Sequence, residues 1–179
     1  ISDGSFVIAG YTTSFGAGQR DAYLVKLDSL GNILWQKTYG TNLLEQAYSV
    51  RETNDGGLII SAFIYAATAN LFLIRTNQDG DTLWTKNIGL SGNDFGSNIQ
   101  LTDDGGFLVI GYTDSNISTG DRDVWLLRLD SAGTILWQRT YGGTDAEEGY
   151  KLLKLSDDNL LISGYSESYS SGGDRDGWI

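Results

Sequence analysis

The apolar residues of this chain form short runs that are separated by polar turn sequences. In the clearest stretch these runs cover residues 96–101, 107–112, 123–129 and 134–141. Runs of roughly five to eight residues suit β-strands and are too short for ordinary helices. The second run has no apolar–polar alternation, which is typical of a strand that is covered on both faces. The pattern predicts an all-β protein, and we label the four strands of this stretch a, b, c and d.

The connections between these strands carry turn residues at fixed positions. Residues 102–106 read Thr-Asp-Asp-Gly-Gly, and residues 130–133 read Asp-Ser-Ala-Gly. An Asp side chain accepts hydrogen bonds from turn amides, and Gly adopts a positive φ without steric cost. The sequence therefore predicts tight antiparallel hairpins between strands a and b and between strands c and d.

Two sequence markers recur along the chain. The first is an Asp-led turn before strand b, which begins at Asp3, Asp55, Asp104 and Asp157, in steps of 52, 49 and 53 residues. The second marker reads Asp/Asn-x-x-Gly-x-x-x-Trp and comprises Asp28, Gly31 and Trp35, then Asn77, Gly80 and Trp84, then Asp130, Gly133 and Trp137. Four-stranded antiparallel units with this period are typical of β-propeller blades. We therefore predict an all-β fold, a β-propeller of which this chain holds about 3.5 blades.

The repeats divide the chain into four approximate blades of a single propeller region. The first blade covers residues 1–41 with strands b, c and d, the next two cover 42–90 and 91–143, and the last covers 144–179 with strands a, b and c. Propellers close with about four to eight blades. We therefore expect these residues to be an interior slice that is continuous with further blades of the same polypeptide. Self-association through open blade edges is the alternative.

The tryptophans of the second marker all fall on strand d. We expect Trp35, Trp84 and Trp137 to pack at blade interfaces, because a ligand site would not need the same residue in every blade. The Asp and Gly residues of this marker are expected to shape the turn before strand d.

Composition removes several classes of function. The chain has 179 residues, no His, Cys, Met or Pro, and a formal net charge of −11. Without His and Cys it has no imidazole or thiolate metal site, no Cys nucleophile and no Ser-His-Asp triad. The acidic balance and the lack of a basic run argue against nucleic-acid binding. No apolar stretch approaches the roughly 18 residues of a membrane span, so we expect no membrane insertion, and we expect no cofactor.

Several segments carry a likeness to known proteins. Residues 21–28 read Asp-Ala-Tyr-Leu-Val-Lys-Leu-Asp, residues 111–113 read Gly-Tyr-Thr, and residues 141–143 read Tyr-Gly-Gly. Together they resemble secreted bacterial β-propeller repeat proteins, whose units read DGGFxxxGYT, DxYLxKLDSxGNxLW and TYGG. The likeness covers essentially the whole chain and implies an extracellular or cell-surface location. Few such proteins have an assigned biochemical activity, so the resemblance implies fold and location more than function.

Two families of propeller enzymes are similar only in part. The Gly-x-x-x-Trp element resembles the tryptophan-docking motif of quinoprotein dehydrogenases, but the Asp-to-Gly interval is one residue shorter and the Cys pair is missing. The sialidase Asp-box, S-x-D-x-G-x-x-W, differs because Asp130 lies three residues before Gly133, which lies four before Trp137. We therefore expect a non-catalytic binding or scaffold module. A propeller enzyme with its active site outside these residues stays an alternative.

Strand alternation places the b–c loops and the d–a connections at one end of every blade, where loops of varied length are suited to binding. The candidate ligand or partner face comprises Phe15, Tyr65, Asp114, Asp121, Asp145, Glu147, Glu148, Tyr169 and Asp174. The acids suit Ca²⁺, a basic partner or simple solubility, but no D-x-D-x-D-G loop is present, so we expect no metal site. The aromatic residues suit stacking on sugars, as in propeller lectins. The expected partner is therefore an unknown protein or glycan.

Arg-Asp pairs recur at the start of strand c. They are Arg20-Asp21, Arg122-Asp123 and Arg175-Asp176, and the second repeat has Ala69-Asn70 instead. Because a catalytic group needs one site and these pairs form three, we expect a structural role. The Asp should hold loop amides while the Arg lies across the blade edge.

Overall fold

The computed structural model describes residues 1–115, 121–155, 159–169 and 174–179. In these ranges the secondary structure consists of β-strands and turns, with no helix. The prediction of an all-β protein is therefore confirmed. The chain forms two compact units, Ile1–Ile88 and Gly89–Ile179.

The first unit contains two antiparallel sheets. Its strands are β1 (Phe6–Thr12), β2 (Asp21–Leu27), β3 (Ile33–Tyr39), β4 (Leu44–Glu52), β5 (Leu58–Tyr65), β6 (Ala69–Thr76) and β7 (Thr82–Ile88). Strands β1, β2 and β3 form one sheet in that order, and β4, β5, β6 and β7 form the other. Each sheet is therefore a meander in which neighbours along the chain are neighbours in space.

The second unit repeats this arrangement. Its strands are β8 (Asp94–Leu101), β9 (Phe107–Thr113), β10 (Asp123–Leu129), β11 (Ile135–Tyr141), β12 (Glu147–Lys154), β13 (Leu160–Ser166) and β14 (Asp176–Trp178). Strands β8 to β11 form a four-stranded sheet, and β12 to β14 form a three-stranded one. The strand counts of three, four, four and three match the strands predicted from the repeats.

The predicted strand boundaries hold to within two residues in the sheet from β8 to β11. Strand c is predicted at 123–129 and observed at Asp123–Leu129, whereas strand a begins at Asp94, two residues before its predicted start. The extra residues pair with strand b, since Asp94 lies opposite Thr113 and its carboxylate accepts a hydrogen bond from the Thr113 hydroxyl at 2.5 Å. A long-range side-chain contact therefore lengthens the strand.

The hairpin between strands c and d has the same geometry in three sheets. A register shift follows the pairs Lys26–Trp35, Arg75–Trp84 and Arg128–Trp137. The turn glycines Gly31, Gly80 and Gly133 have φ values of +87°, +78° and +74°. These values confirm the prediction that the turns need Gly in the left-handed region.

In each unit a buried apolar cluster joins the two sheets. In the first unit, Leu24 of β2 shares the cluster with Ile60 and Ile74 of the neighbouring sheet. In the second unit, Ile110 and Leu126 lie with Leu152 of β12. Burial of these side chains is the main favourable contribution to folding of each unit.

An ion pair joins the a–b turn to strand c in three of the sheets. The pairs are Asp3–Lys26 at 2.8 Å, Asp55–Arg75 at 2.6 Å and Asp104–Arg128 at 2.5 Å. Asp55 also accepts hydrogen bonds from the Thr53 hydroxyl at 2.7 Å and the Gly57 amide at 3.3 Å. The Thr53 hydroxyl, followed by Arg75, lowers the pKa of Asp55 to about 2. The fourth Asp marker, Asp157, lies outside the described residues.

We expect Asp55→Asn to lower the free energy of unfolding at neutral pH by only about 0.5–1 kcal/mol, since the carboxylate is exposed. The folded-state pKa of about 2 lies below the value of about 3.9 for an unfolded Asp. The contribution is therefore present above about pH 4 and is lost as the pH falls toward 2. Urea unfolding of both proteins across this range measures the difference, which should shrink in acid.

The exposed Asp79 provides the control for this measurement. Asp79→Asn should leave the unfolding curve unchanged. An equal loss of stability in both variants, or a difference that does not depend on pH, would contradict the role given to Asp55.

Candidate functional site

The loop before β2 is held by a buried carboxylate. Asp21 is 1 % exposed and accepts hydrogen bonds from the backbone amides of Ala17 at 3.0 Å and Gly18 at 3.1 Å. Gly16 has φ +129°, and an added Cβ there would overlap the Asp21 carboxylate. The loop therefore closes tightly around Asp21, in the role predicted for the Asp of the Arg-Asp pairs.

A second buried carboxylate, Glu45 of β4, lies beside Asp21. Its Oε1 accepts hydrogen bonds from the Thr41 amide at 3.1 Å and the Thr41 hydroxyl at 2.6 Å. Its Oε2 has no hydrogen-bond partner in the described part of the chain. A Cβ on Gly40 would overlap Asp21 Oδ1 and lie 2.7 Å from Glu45 Oε2, so both carboxylates border the same small space. Burial, together with the charge of Asp21, raises the pKa of Glu45.

The same pair recurs in the second unit as Asp123 and Glu147. A Cβ on Gly142 would overlap Asp123 Oδ1 and lie 2.8 Å from Glu147 Oε2. Burial raises the pKa of Asp123, and the charge of Glu147 adds to this effect.

The surroundings of Glu147 differ from those of Glu45. Glu147 accepts hydrogen bonds from the Ser166 hydroxyl at 2.6 Å, the Ser168 amide at 3.1 Å and the Gly143 amide at 2.7 Å. Burial by itself would raise its pKa, but these hydrogen bonds outweigh burial and lower the pKa of Glu147. The pKa of the Glu at this position is therefore raised in the first unit and lowered in the second.

Two adjacent buried carboxylates resist being ionised together. The pKa is raised for Glu45 in the first pair and for Asp123 in the second. Within residues 1–115, 121–155, 159–169 and 174–179, Asp and Glu side chains form no group of three or more that could hold a metal ion. Three of these carboxylates, Asp21, Glu45 and Glu147, accept hydrogen bonds from loop amides.

The Arg of each Arg-Asp pair stacks on a Tyr of strand b. The distances from Cζ to the ring centroid are 4.4 Å for Arg20–Tyr11, 4.6 Å for Arg122–Tyr112 and 4.4 Å for Arg175–Tyr165. In the second repeat Ala69 replaces the Arg and Phe63 replaces the Tyr. Both partners change together, as expected where the cation–π contact is the reason for the pairing.

Three of the predicted acids serve this loop architecture. Glu147 and Glu148 are 2 % and 7 % exposed, and Glu148 forms an ion pair with Arg122. The half-buried Asp114 accepts hydrogen bonds from the Asn93 amide and from Asn93 Nδ2. These carboxylates therefore bind groups of the protein itself.

The other predicted residues are exposed. They are Phe15, Tyr65, Asp121, Asp145, Tyr169 and Asp174. The ring of Phe15 meets Tyr23 edge to face at 5.4 Å between centroids. Of the nine predicted face residues, Glu147 and Tyr169 line the same groove.

This open groove of about 430 Å³ lies beside β11 in the second unit. Its lining residues are Thr140, Tyr141, Gly142, Glu147, Tyr169 and Trp178. Tyr141 is 44 % exposed, whereas Tyr39 at the equivalent position of β3 is 7 % exposed. Sequence reasoning missed Tyr141 and Trp178 because the repeat pattern carries no sign of which copy of a residue stays uncovered.

The repeated tryptophans lie on strand d as predicted. Trp35 of β3 packs against the core of the first unit, in agreement with its expected role. Trp84 of β7 is half-buried. Trp137 of β11 is 37 % exposed, so its ring is less covered than a packing role predicts.

Comparison with known proteins bears on the fold alone. No protein-family model matches the chain. No curated protein matches it either. One similar solved structure is a protein of unknown function from Bacteroides caccae, with a TM-score of 0.51 and 13 % sequence identity. The match covers 80 % of this chain and 48 % of that chain, so the present chain spans about half the length of the matched protein.

A search of the described residues for a helix long and apolar enough to cross a membrane finds none.

In the two carboxylate pairs, a Glu-to-Gln substitution should change the free energy of unfolding in opposite directions. Glu45→Gln should raise the free energy of unfolding at neutral pH by about 1 kcal/mol, because Gln needs no proton and its amide donates to Asp21. The folded pKa of Glu45 is raised, so wild-type stability falls as the pH rises above the unfolded value of about 4.3. The gain should therefore disappear below about pH 4.

Glu147→Gln is the matched substitution in the second unit. Because the pKa of Glu147 is lowered, its contribution is present above the unfolded pKa and is lost in acid. The variant should lose about 1–2 kcal/mol at neutral pH and converge with wild type as the pH falls. Thermal or urea unfolding from about pH 4 to 8 measures both effects, and shifts of the same sign in the two variants would contradict this assignment.

Proposed function

We propose that this chain is part of a β-propeller and that its four sheets are successive blades. Each sheet is a meander of consecutive antiparallel strands, which is how propeller blades are built. The c–d hairpin, the Asp-to-cation pair and the loop carboxylate recur at equivalent positions of different sheets. Further blades of the same polypeptide complete the ring.

The proposed function is that of a non-catalytic binding or scaffold module outside the cell or at its surface. The observation that carries this proposal is the burial of three of the four paired carboxylates: Asp21, Glu45 and Glu147 are 1 %, 0 % and 2 % exposed. A general acid or base must reach its substrate within hydrogen-bond distance, directly or through one water. These groups instead bind loop amides and so present exposed loop side chains on a rigid support.

The extracellular location rests on the resemblance of the repeats to secreted propeller proteins. The net charge of −11 suits a soluble surface domain and a partner with basic character.

The mass of the denatured native polypeptide tests the architecture. We expect a mass well above the 19.5 kDa of these residues, and electron microscopy of the native protein should show a disc with a central channel. A native mass of 19.5 kDa together with an open arc would overturn the proposal.

Glycan arrays and a panel of glycoside substrates test the function. A scaffold or protein-binding module should give no turnover and no glycan signal that depends on Tyr169. Glycan binding that Tyr169→Ala abolishes while Tyr65→Ala preserves it would establish the lectin alternative. Hydrolysis that is lost in Glu147→Gln but kept in Glu52→Gln would establish an enzyme.

A further inference from the structure

In the first unit, strand β3 holds the turn between β6 and β7. The Tyr39 hydroxyl donates a hydrogen bond to the Gly80 carbonyl at 2.7 Å, and Lys37 Nζ contacts Asp81 Oδ1 at 2.5 Å. An added Cβ on Gly80 would lie 3.1 to 3.2 Å from the side chains of Lys37, Tyr39 and Trp35. The face of β3 thus recognises the turn through an aromatic surface, a hydroxyl donor and a cation.

The turn also has hydrogen bonds of its own. Asn77 Oδ1 accepts hydrogen bonds from the amides of Asp79 at 3.0 Å and Asp81 at 2.8 Å, and Gly80 has φ +78°. This conformation leaves the Gly80 carbonyl free to accept from outside the turn. A residue other than Gly at this position would be strained and would press against the aromatic side chains.

Strand β11 of the second unit carries the same three kinds of side chain at the same register. On β11 these residues are Trp137, Arg139 and Tyr141, which lie opposite Arg128, Leu126 and Val124 of β10. On β3 they are Trp35, Lys37 and Tyr39, which lie opposite Lys26, Leu24 and Ala22 of β2.

No turn covers this second face within the described residues. Trp137 and Tyr141 are 37 % and 44 % exposed, and Tyr141 lines the open groove. The Arg139 guanidinium donates to the Gln138 carbonyl at 2.9 Å and has no carboxylate partner in the described ranges. An aromatic surface, a hydroxyl donor and a cation are therefore available together.

We propose that this face of β11 is the docking site for a glycine turn of the kind formed by residues 77–81, carried by a further hairpin of the repeat. Tyr141 donates to the carbonyl of the turn glycine, Trp137 packs on its Cα, and Arg139 pairs with the acidic residue that follows. The complementary charge of Arg139 and that residue matches the contact between Lys37 and Asp81. The assignment rests on the proposed propeller architecture, in which further blades supply the hairpin.

A peptide titration tests this docking site on the full 179-residue chain. The probe is a cyclised peptide with the sequence of residues 74–84, added to protein labelled with ¹⁵N. The indole N–H signal of Trp137, assigned with Trp137→Phe, should shift and saturate, while the signal of Trp35 should stay in place. Tyr141→Phe should weaken binding about five-fold, because it removes one hydrogen bond.

Two controls isolate the chemistry of recognition. Tyr65→Phe changes a tyrosine of similar exposure, 43 %, in the other unit and should leave peptide affinity unchanged. A peptide carrying Gly80→Val should fail to bind, because its turn cannot form without strain. Equal binding by this peptide, or equal affinity after Tyr141→Phe, would overturn the proposal.

A covalent extension of the chain tests docking without depending on the affinity of a free peptide. Residues 176–179 align with 70–73, so a copy of residues 74–90 added after Ile179 places the turn of residues 77–81 beside β11. The Trp137 signal should then shift without added peptide, and Gly80→Val within the added copy should reverse the shift. No shift of Trp137 with either the peptide or the extension would overturn the docking site.

Three further outcomes separate the docking site from the proposed function. If Trp137 shifts with protein concentration alone and Gly31→Val in the chain abolishes the shift, the occupant is a second copy and the proposed source is wrong. A native mass of 19.5 kDa with peptide binding intact would refute the further blades but keep the turn-binding chemistry. A larger native mass without any Trp137 shift would refute the docking site alone.

Discussion

Each sheet of this protein has an apolar face that its own strands cannot cover, and the structure depends on burying that face against another sheet. In the first unit Leu24, Ile60 and Ile74 meet in one buried cluster, and in the second Ile110, Leu126 and Leu152 do the same. Dispersion and the loss of apolar contact with water stabilise both clusters. Turns, ion pairs and loop carboxylates then determine which residues of the sheets face each other.

The loop carboxylates show how the pKa at one position of a repeat shifts in opposite directions in the two units. Glu45 and Glu147 occupy equivalent places beside an Asp, but only Glu147 accepts hydrogen bonds through both of its oxygens. The additional donors come from Ser166 and Ser168, outside the strand that carries Glu147. Because desolvation and hydrogen bonding oppose each other, a few neighbouring groups decide whether the pKa of the Glu is raised or lowered.

Neighbouring groups also decide the exposure of Tyr39 and Tyr141, which differ although their sequence positions are equivalent. Both end strand d after the same Trp-x-cation-x-Tyr pattern, and both lie opposite an apolar residue of strand c. Tyr39 is closed over by the Gly80 turn, whereas Tyr141 faces an open groove. A Trp-x-cation-x-Tyr face that is covered in one repeat is therefore exposed in another.

Local chemistry made much of the fold predictable. The period of about fifty residues, the turn glycines and the span of β10 follow from turn propensity and from the length of apolar runs, which depend on residues close together in sequence. Neither the contact of Asp21 with Glu45, which lie on different sheets, nor the exposure of Tyr141 could be predicted in this way. Both depend on how sheets pack, and packing joins residues whose separation along the chain carries no local signal.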